Sequence, residues 1–249
     1  MSTEDGSLVR KKTVLITGAT GKLAAAIIPM LAEQGWNLAL CGRRAEPLER
    51  SRAELRGESV AACFVADLAD NSATEELVDA VLSRFGRIDA LIHAAGSYRR
   101  EPLLEQAIAD WHGQFADNLH SLYYLARAVA PTMKAAGWGR IVSFGLVNAE
   151  RLAAQPMITA HSIAKTGVLI LTRTLAQQLG PFGITANVIS PGYLEHATQA
   201  GEAAQLLKRI PSGRLGRGDD ICGVLALLLS ERADYINGAN VTISGGWGL

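Results

Sequence analysis

The chain has 249 residues, 49% hydrophobic and 19% charged, with 24 Lys plus Arg matched by 24 Asp plus Glu. That profile describes a soluble globular chain with a substantial core, and the balanced charge excludes a net field that would draw it to nucleic acid or a membrane surface. The three cysteines, Cys41, Cys63 and Cys222, are scattered and lack metal-ligand spacing, which fits a reducing compartment. A cytoplasmic protein without a bound metal is therefore expected.

Residues 1–12 are polar and lack the apolar run of a signal peptide, so they read as a flexible lead to a domain over residues 13–249. No apolar stretch reaches about 18 residues without a charge or a breaker, so no membrane span is expected. Thr13–Thr17 (TVLIT) reads as a buried strand and Leu23–Gln34 as a helix. Strands at Asn37–Gly42 and Val60–Ala66 are followed by helices at Pro47–Arg56 and Ala73–Phe85. A strand over Asp89–Ala94 leads to one long helix, Ile108–Ala136. Then come a strand at Arg140–Phe144, a helix at Ile163–Leu179 and a strand at Ile184–Ile189. Helices at Ala200–Arg209 and Asp220–Ser230 precede a last strand at Asn240–Ile243. Strand and helix alternate, and the strands lack period-two polarity. Both features point to one doubly wound α/β domain of Rossmann type, a parallel sheet buried between helices.

Thr17-Gly18-Ala19-Thr20-Gly21-Lys22-Leu23-Ala24 lies between the first strand and the first helix. Glycines there permit a tight turn and close backbone approach to a pyrophosphate, and the helix N-terminus offers unpaired N–H groups. Lys22 is read either as a phosphate contact or as a solvated first-turn lysine. The second strand ends in Gly42-Arg43-Arg44, with no acid to hold a ribose 2′-hydroxyl and two guanidinium forks suited to a 2′-phosphate. The implied cofactor is NADP(H).

These residues resemble the short-chain dehydrogenase/reductase family, and the resemblance runs from about Lys12 to Leu249. TGATGKLA is similar to the family's TGxxxGxG, with Lys22 and Ala24 at two of its glycines; a basic residue at Lys22 also resembles TGxxxRxG of the pteridine reductase branch. Asp67-Leu68 matches an adenine contact. His93-Ala94-Ala95-Gly96 matches NNAG with both asparagines replaced, and His93 reads as a core histidine. Asn187 to Gly192 resembles NxxxPG, which implies that Pro191, Gly192 and Leu194 line the nicotinamide site.

The resemblance also implies a catalytic Tyr, Lys, Ser and Asn. Asn118 and Lys165 match two of them, and His161 stands where YxxxK has its Tyr. Alignment on the strand puts Leu146 at the Ser position, while counting back from Lys165 puts Asn148 there. Tyr193 to Leu215 corresponds to a substrate lid. Tyr98, Tyr193 and His196 join Leu146 and Asn148 as candidate pocket residues, and an ordinary loop role for Tyr98 stays open.

Three functions follow. One is an NADPH-dependent oxidoreductase reducing a C=N/iminium or specialised C=O substrate, with His161 as proton donor or space-filler. The second is a non-redox cyclase, isomerase or lyase using His161, His196 and Lys165 as acid–base groups. The third is a catalytically inactive NADP-binding protein. Leu119, Leu122, Tyr123, Leu169 and Leu171 exceed what one sheet face can cover, and the resemblance implies that these two helices pair across a two-fold axis; a homotetramer is therefore expected, with a small molecule as the other partner.

Overall fold

The computed structural model describes residues 11–55, 59–195 and 200–248. Most of the expected N-terminal lead, His196 and the C-terminal end of the expected second helix lie outside the described residues.

Among the described residues, seven strands form a single parallel sheet: β1 (Thr13–Thr17), β2 (Asn37–Gly42), β3 (Ala61–Val65), β4 (Ala90–His93), β5 (Gly139–Phe144), β6 (Ile184–Pro191) and β7 (Asn240–Ile243). Their order is β3-β2-β1-β4-β5-β6-β7, so the winding direction reverses between β1 and β4. A doubly wound sheet opens a crevice at that switch, beyond the carboxyl ends of its strands.

On β1, Leu15 enters one core layer with Leu77, Leu125 and Val168. Val14 and Ile16 enter the opposite layer with Ile27, Leu31 and Leu225. Both faces of the strand are therefore buried, which is why TVLIT shows no alternation. Each such side chain contributes about 1.5–3 kcal/mol on burial.

The helices are α1 (Lys22–Glu33), α2 (Ala45–Ala53), α3 (Asn71–Phe85), α4 (Ile108–Phe115), α5 (Ser121–Ala136), α6 (Thr159–Leu179), α7 (Ala200–Leu207) and α8 (Gly218–Leu229). Asp70 caps α3, its carboxylate accepting from Ser72 N at 2.7 Å and Ala73 N at 3.2 Å, so this helix starts before Ala73.

Two departures from expectation shape the site. The helix expected over Ile108–Ala136 is broken by a π-helical turn, Ala116–His120, between α4 and α5. The wider turn carries Asn118, and such bulges concentrate at functional positions. In addition, α6 begins at Thr159 rather than Ile163, which puts His161 and Lys165 one turn apart on the same helix.

A correction concerns the apolar surface. Leu122 and Leu169 lie within the core, and Leu119 and Leu171 pack against it. Of the five residues named from sequence, only Tyr123 is exposed; Ile163 on α6 and Ile170 beside it are exposed as well. The leucines face inward because α5 and α6 both lie on the sheet, with α5 also packed on α3.

Candidate active site

The crevice is lined by Gly18, Thr20, Gly21, Gly42, Arg43, Asp67, Leu68, Ala94, Ala95, Gly96 and Asp117. Gly18 has φ +64°, and a Cβ there would fall 2.7 Å from both Ala94 O and Ala95 N. Only glycine satisfies that conformation and that approach. Gly21, which lines the crevice, caps α1 without a side-chain hydrogen bond, so the N-terminus of the helix opens beside the crevice. Leu23 itself packs against the core. Arg43 and Arg44 are exposed at the end of β2, and Arg44 is the residue from which α2 starts. A dinucleotide fits this cradle: glycine-permitted approach, the N-terminus of α1 and guanidinium groups at the β2 end.

Lys165 is buried on α6 and donates to the carbonyl of Phe144, the last residue of β5, at 2.8 Å. Burial pulls its ammonium down to about 8. Asn118 is buried in the π turn and donates from Nδ2 to Ser97 O and to Gln114 O, both at 2.9 Å. Its Oδ1 is buried without a hydrogen-bond partner among the described residues. A Cβ on Gly96 would fall 2.5 Å from that oxygen and 3.8 Å from Lys165 Nζ. Gly96 thus keeps open the space that Asn118 and Lys165 share. An orphaned acceptor beside an ammonium, at the inner end of the crevice, also suits the hydroxyls of a cofactor ribose.

His161 joins the same cluster. Its Nδ1 lies 3.1 Å from Ser97 O and 3.3 Å from Gln114 Oε1, and Tyr98 meets its ring edge-to-face, with centroids 5.1 Å apart. Burial first, and the Lys165 charge second, push its imidazole down to about 4. The structure therefore brings together His161, Lys165, Asn118, Gly96 and Tyr98. Ser97 and Gln114 were not anticipated. Gln114 precedes Asn118 by one helical turn, a spacing that signals a shared face, whereas the backbone role of Ser97 leaves no trace in residue type.

His93 is buried, its Nε2 2.9 Å from Ser121 Oγ, and that hydroxyl donates to Asp117 O at 2.7 Å. Burial, then the Lys165 charge, lowers its pKa to about 3. It is a neutral core histidine, in keeping with the sequence reading.

The remaining named residues sit farther along the C-terminal side. Leu146 packs on the core and offers no polar group. Asn148 has φ +65°, and a Cβ on Gly248 would overlap its amide. Pro191 ends β6, and Gly192 donates its N–H to Ile243 O at 2.8 Å. Leu194 is buried and bridged to Gly216, so its side chain serves the core. Tyr193 meets Trp247 at 4.7 Å, edge to face.

A family model described as enoyl-(acyl carrier protein) reductase matches residues 18–248. The chain is 34% identical to D-threitol dehydrogenase of Mycolicibacterium smegmatis, over 95% of this chain and 92% of that one. Among solved structures it is similar to a gluconate 5-dehydrogenase from Burkholderia cenocepacia in complex with NADP and tartrate: 32% identity, TM-score 0.86, 94% of each chain. It is also similar to an NAD+-bound xylitol dehydrogenase: 29% identity, TM-score 0.87, 94% of this chain and 98% of that one.

Proposed function

The chain belongs to the short-chain dehydrogenase/reductase family, and on that premise we propose that it is an NADPH-dependent oxidoreductase with an altered active site, reducing a C=N/iminium or specialised C=O substrate. Its relatives are oxidoreductases. The observation that carries the finer reading is the convergence of His161, Lys165 and Asn118 around Gly96, at the inner end of the dinucleotide crevice. Bound NADPH would supply hydride. Gly18, Gly21 and the α1 amides would hold its pyrophosphate, Arg43 and Arg44 its 2′-phosphate, Asp67 and Leu68 its adenine end, and Lys165 with Asn118 its ribose. Residues 94–96 and 191–194 would border the nicotinamide. His161 stands where the family places Tyr, and Leu146 or Asn148 where it places Ser, so neither hydroxyl is present to protonate or orient a substrate oxygen. The likeness of Lys22 to the pteridine reductase motif, a branch acting on C=N bonds, points the same way.

The test is NADPH oxidation monitored against cyclic imines and ketones, with product identified. Hydride consumption matched by amine supports the reading; turnover without nicotinamide oxidation supports a non-redox enzyme instead.

Cofactor choice has its own test. One solved relative holds NADP and another NAD+, so the arginines decide. A charge-assisted contact of about 1.5–3 kcal/mol corresponds to roughly tenfold or more in affinity. NADPH is expected to bind about tenfold or more tighter than NADH by fluorescence titration, with the preference lost in the Arg43→Ala/Arg44→Ala double variant. An unchanged NADPH affinity in that variant would remove both residues from the site.

We also propose a cytoplasmic homotetramer paired through α5 and α6. Exposed Tyr123, Ile163 and Ile170 support the pairing, and closed symmetry is the usual outcome. No helix among the described residues is long and apolar enough to cross a membrane. Light scattering is expected to report about four times the 26.4 kDa chain mass; a 26.4 kDa species at micromolar concentration would contradict it.

A further inference from the structure

A neutral imidazole carries one N–H and one lone pair, and the partner of one nitrogen dictates the state of the other. At His161 that partner is unambiguous. Nδ1 faces the main-chain carbonyl of Ser97 at 3.1 Å and Oε1 of Gln114 at 3.3 Å. The Gln114 amide is itself oriented, because its Nε2 donates to Ser97 Oγ at 2.9 Å. Both groups facing Nδ1 are acceptors, so Nδ1 carries the proton and Nε2 the lone pair. Among the described residues no hydrogen bond reaches Nε2.

The neighbouring groups repeat this polarity. Asn118 spends both amide hydrogens on Ser97 O and Gln114 O, which turns its unpartnered Oδ1 toward Gly96. Lys165, the charged group beside both, already donates to Phe144 O. The inner end of the crevice thus presents acceptors in two places.

We propose that His161 is held as the Nδ1–H tautomer and presents Nε2 to the substrate as a hydrogen-bond acceptor, so that the site selects a substrate whose reacting group brings its own N–H donor, a protonated imine in place of a ketone. The substrate class rests on the reductase reading above; the tautomer does not. Such a substrate needs no acid. Hydride from NADPH adds to the C=N carbon, the C=N π pair becomes the nitrogen lone pair, and the N–H proton remains on nitrogen. The products are a neutral amine and NADP+. His161 orients the N–H throughout without taking its proton. Burial disfavours the charged form of His161, so the imidazole accepts the hydrogen bond without taking the proton.

Two measurements test this. First, nitrogen–proton correlation spectra of 15N-labelled protein, with His161→Phe used for assignment, are expected to show Nδ1 protonated and Nε2 bare at pH 7. An Nε2–H tautomer or an imidazolium would overturn the proposal. Second, three probes are titrated into the NADP+-saturated protein: pyrrolidinium, which has N–H donors; N,N-dimethylpyrrolidinium, a cation without one; and cyclopentanone, an acceptor only. Pyrrolidinium is expected to bind about tenfold or more tighter than either, as one hydrogen bond to a charged donor allows, and to lose that margin in His161→Phe. Equal binding of the two cations, or tighter binding of cyclopentanone, would overturn it. Failure of the protein to reduce 1-pyrroline would sink the reductase reading while leaving both measurements interpretable.

Discussion

Replacing Arg140 with Met is expected to destabilise the protein by about 3–5 kcal/mol. Arg140 lies on β5 and is fully buried. Its five N–H donors are all used. Nε and Nη2 donate to Ser230 O, each at 3.2 Å; Nη1 donates to Gly139 O at 2.9 Å and Gly183 O at 3.3 Å; Nη2 also donates to Asp234. The guanidinium further stacks on Trp138, 4.3 Å from the ring centroid. One side chain thereby ties the start of β5 to the turn before β6 and to the end of α8.

Met would fill much of the space and donate nothing, leaving the buried Gly139 carbonyl and the part-buried Ser230 and Gly183 carbonyls without their donor, at up to about 1–3 kcal/mol for a fully buried one. Asp234 is 68% exposed, so its charge would return to water, and Asp234→Asn is expected to cost under about 1 kcal/mol. Lys cannot reproduce the planar fork, so Arg140→Lys is expected to lose more than half of what Met loses. Chemical denaturation of the three variants checks the ranking. An Asp234→Asn loss as large as that of Arg140→Met would show that the ion pair, not the carbonyl network, carries the stability.

Arg140 also marks the boundary of what the residues alone disclose. TVLIT and the short apolar runs after it announce strands buried on both faces, because no surface alternation survives in them. The Gly18 turn is equally plain, since only glycine tolerates φ +64° against the Ala94–Ala95 backbone. Arg140, by contrast, reads as the first polar residue of a strand, and nothing in its type reveals the distant carbonyls of Gly183 and Ser230. The π turn at Ala116–His120 is hidden for a similar reason: its residues are compatible with an ordinary helix, and the Asn118 bond to the Ser97 carbonyl that accompanies the bulge is made to a backbone atom distant in sequence. The leucines of α5 and α6 looked surplus because periodicity counts apolar positions but not how many neighbours cover them. At the site, His161 and Lys165 were visible as types at a spacing. The proton position on His161 depends on Ser97 O, a backbone atom whose role no side chain records.

That proton position leads to the other large effect. The wild-type protein is expected to reduce simple ketones only near background, and His161→Tyr to raise ketone kcat/KM by about 10²-fold or more, within the 10²–10⁴-fold that a positioned general acid contributes. Reducing a ketone builds negative charge on oxygen, which needs a donor within reach. His161 offers Nε2 without a proton, and its Nδ1–H is engaged with Ser97 O. To act as an acid it must first become imidazolium, and with a pKa of about 4 only about one molecule in a thousand is charged at pH 7. The sign follows from the environment: burial and the Lys165 ammonium both penalise the charged form, so lowering the pH from 8 to 6 is not expected to rescue ketone turnover. Imidazole is also shorter than phenol, and neither Leu146 nor Asn148 supplies the hydroxyl that would orient the carbonyl. Tyrosine at this position restores an O–H donor one helical turn from Lys165, whose positive charge favours the phenolate and so strengthens the phenol as an acid. The assay is NADPH oxidation on a ketone panel at pH 6, 7 and 8 for wild type and His161→Tyr. Efficient ketone reduction by the wild type, or a rate that climbs as the pH falls toward 6, would show that His161 delivers a proton after all and would overturn its assignment as an acceptor.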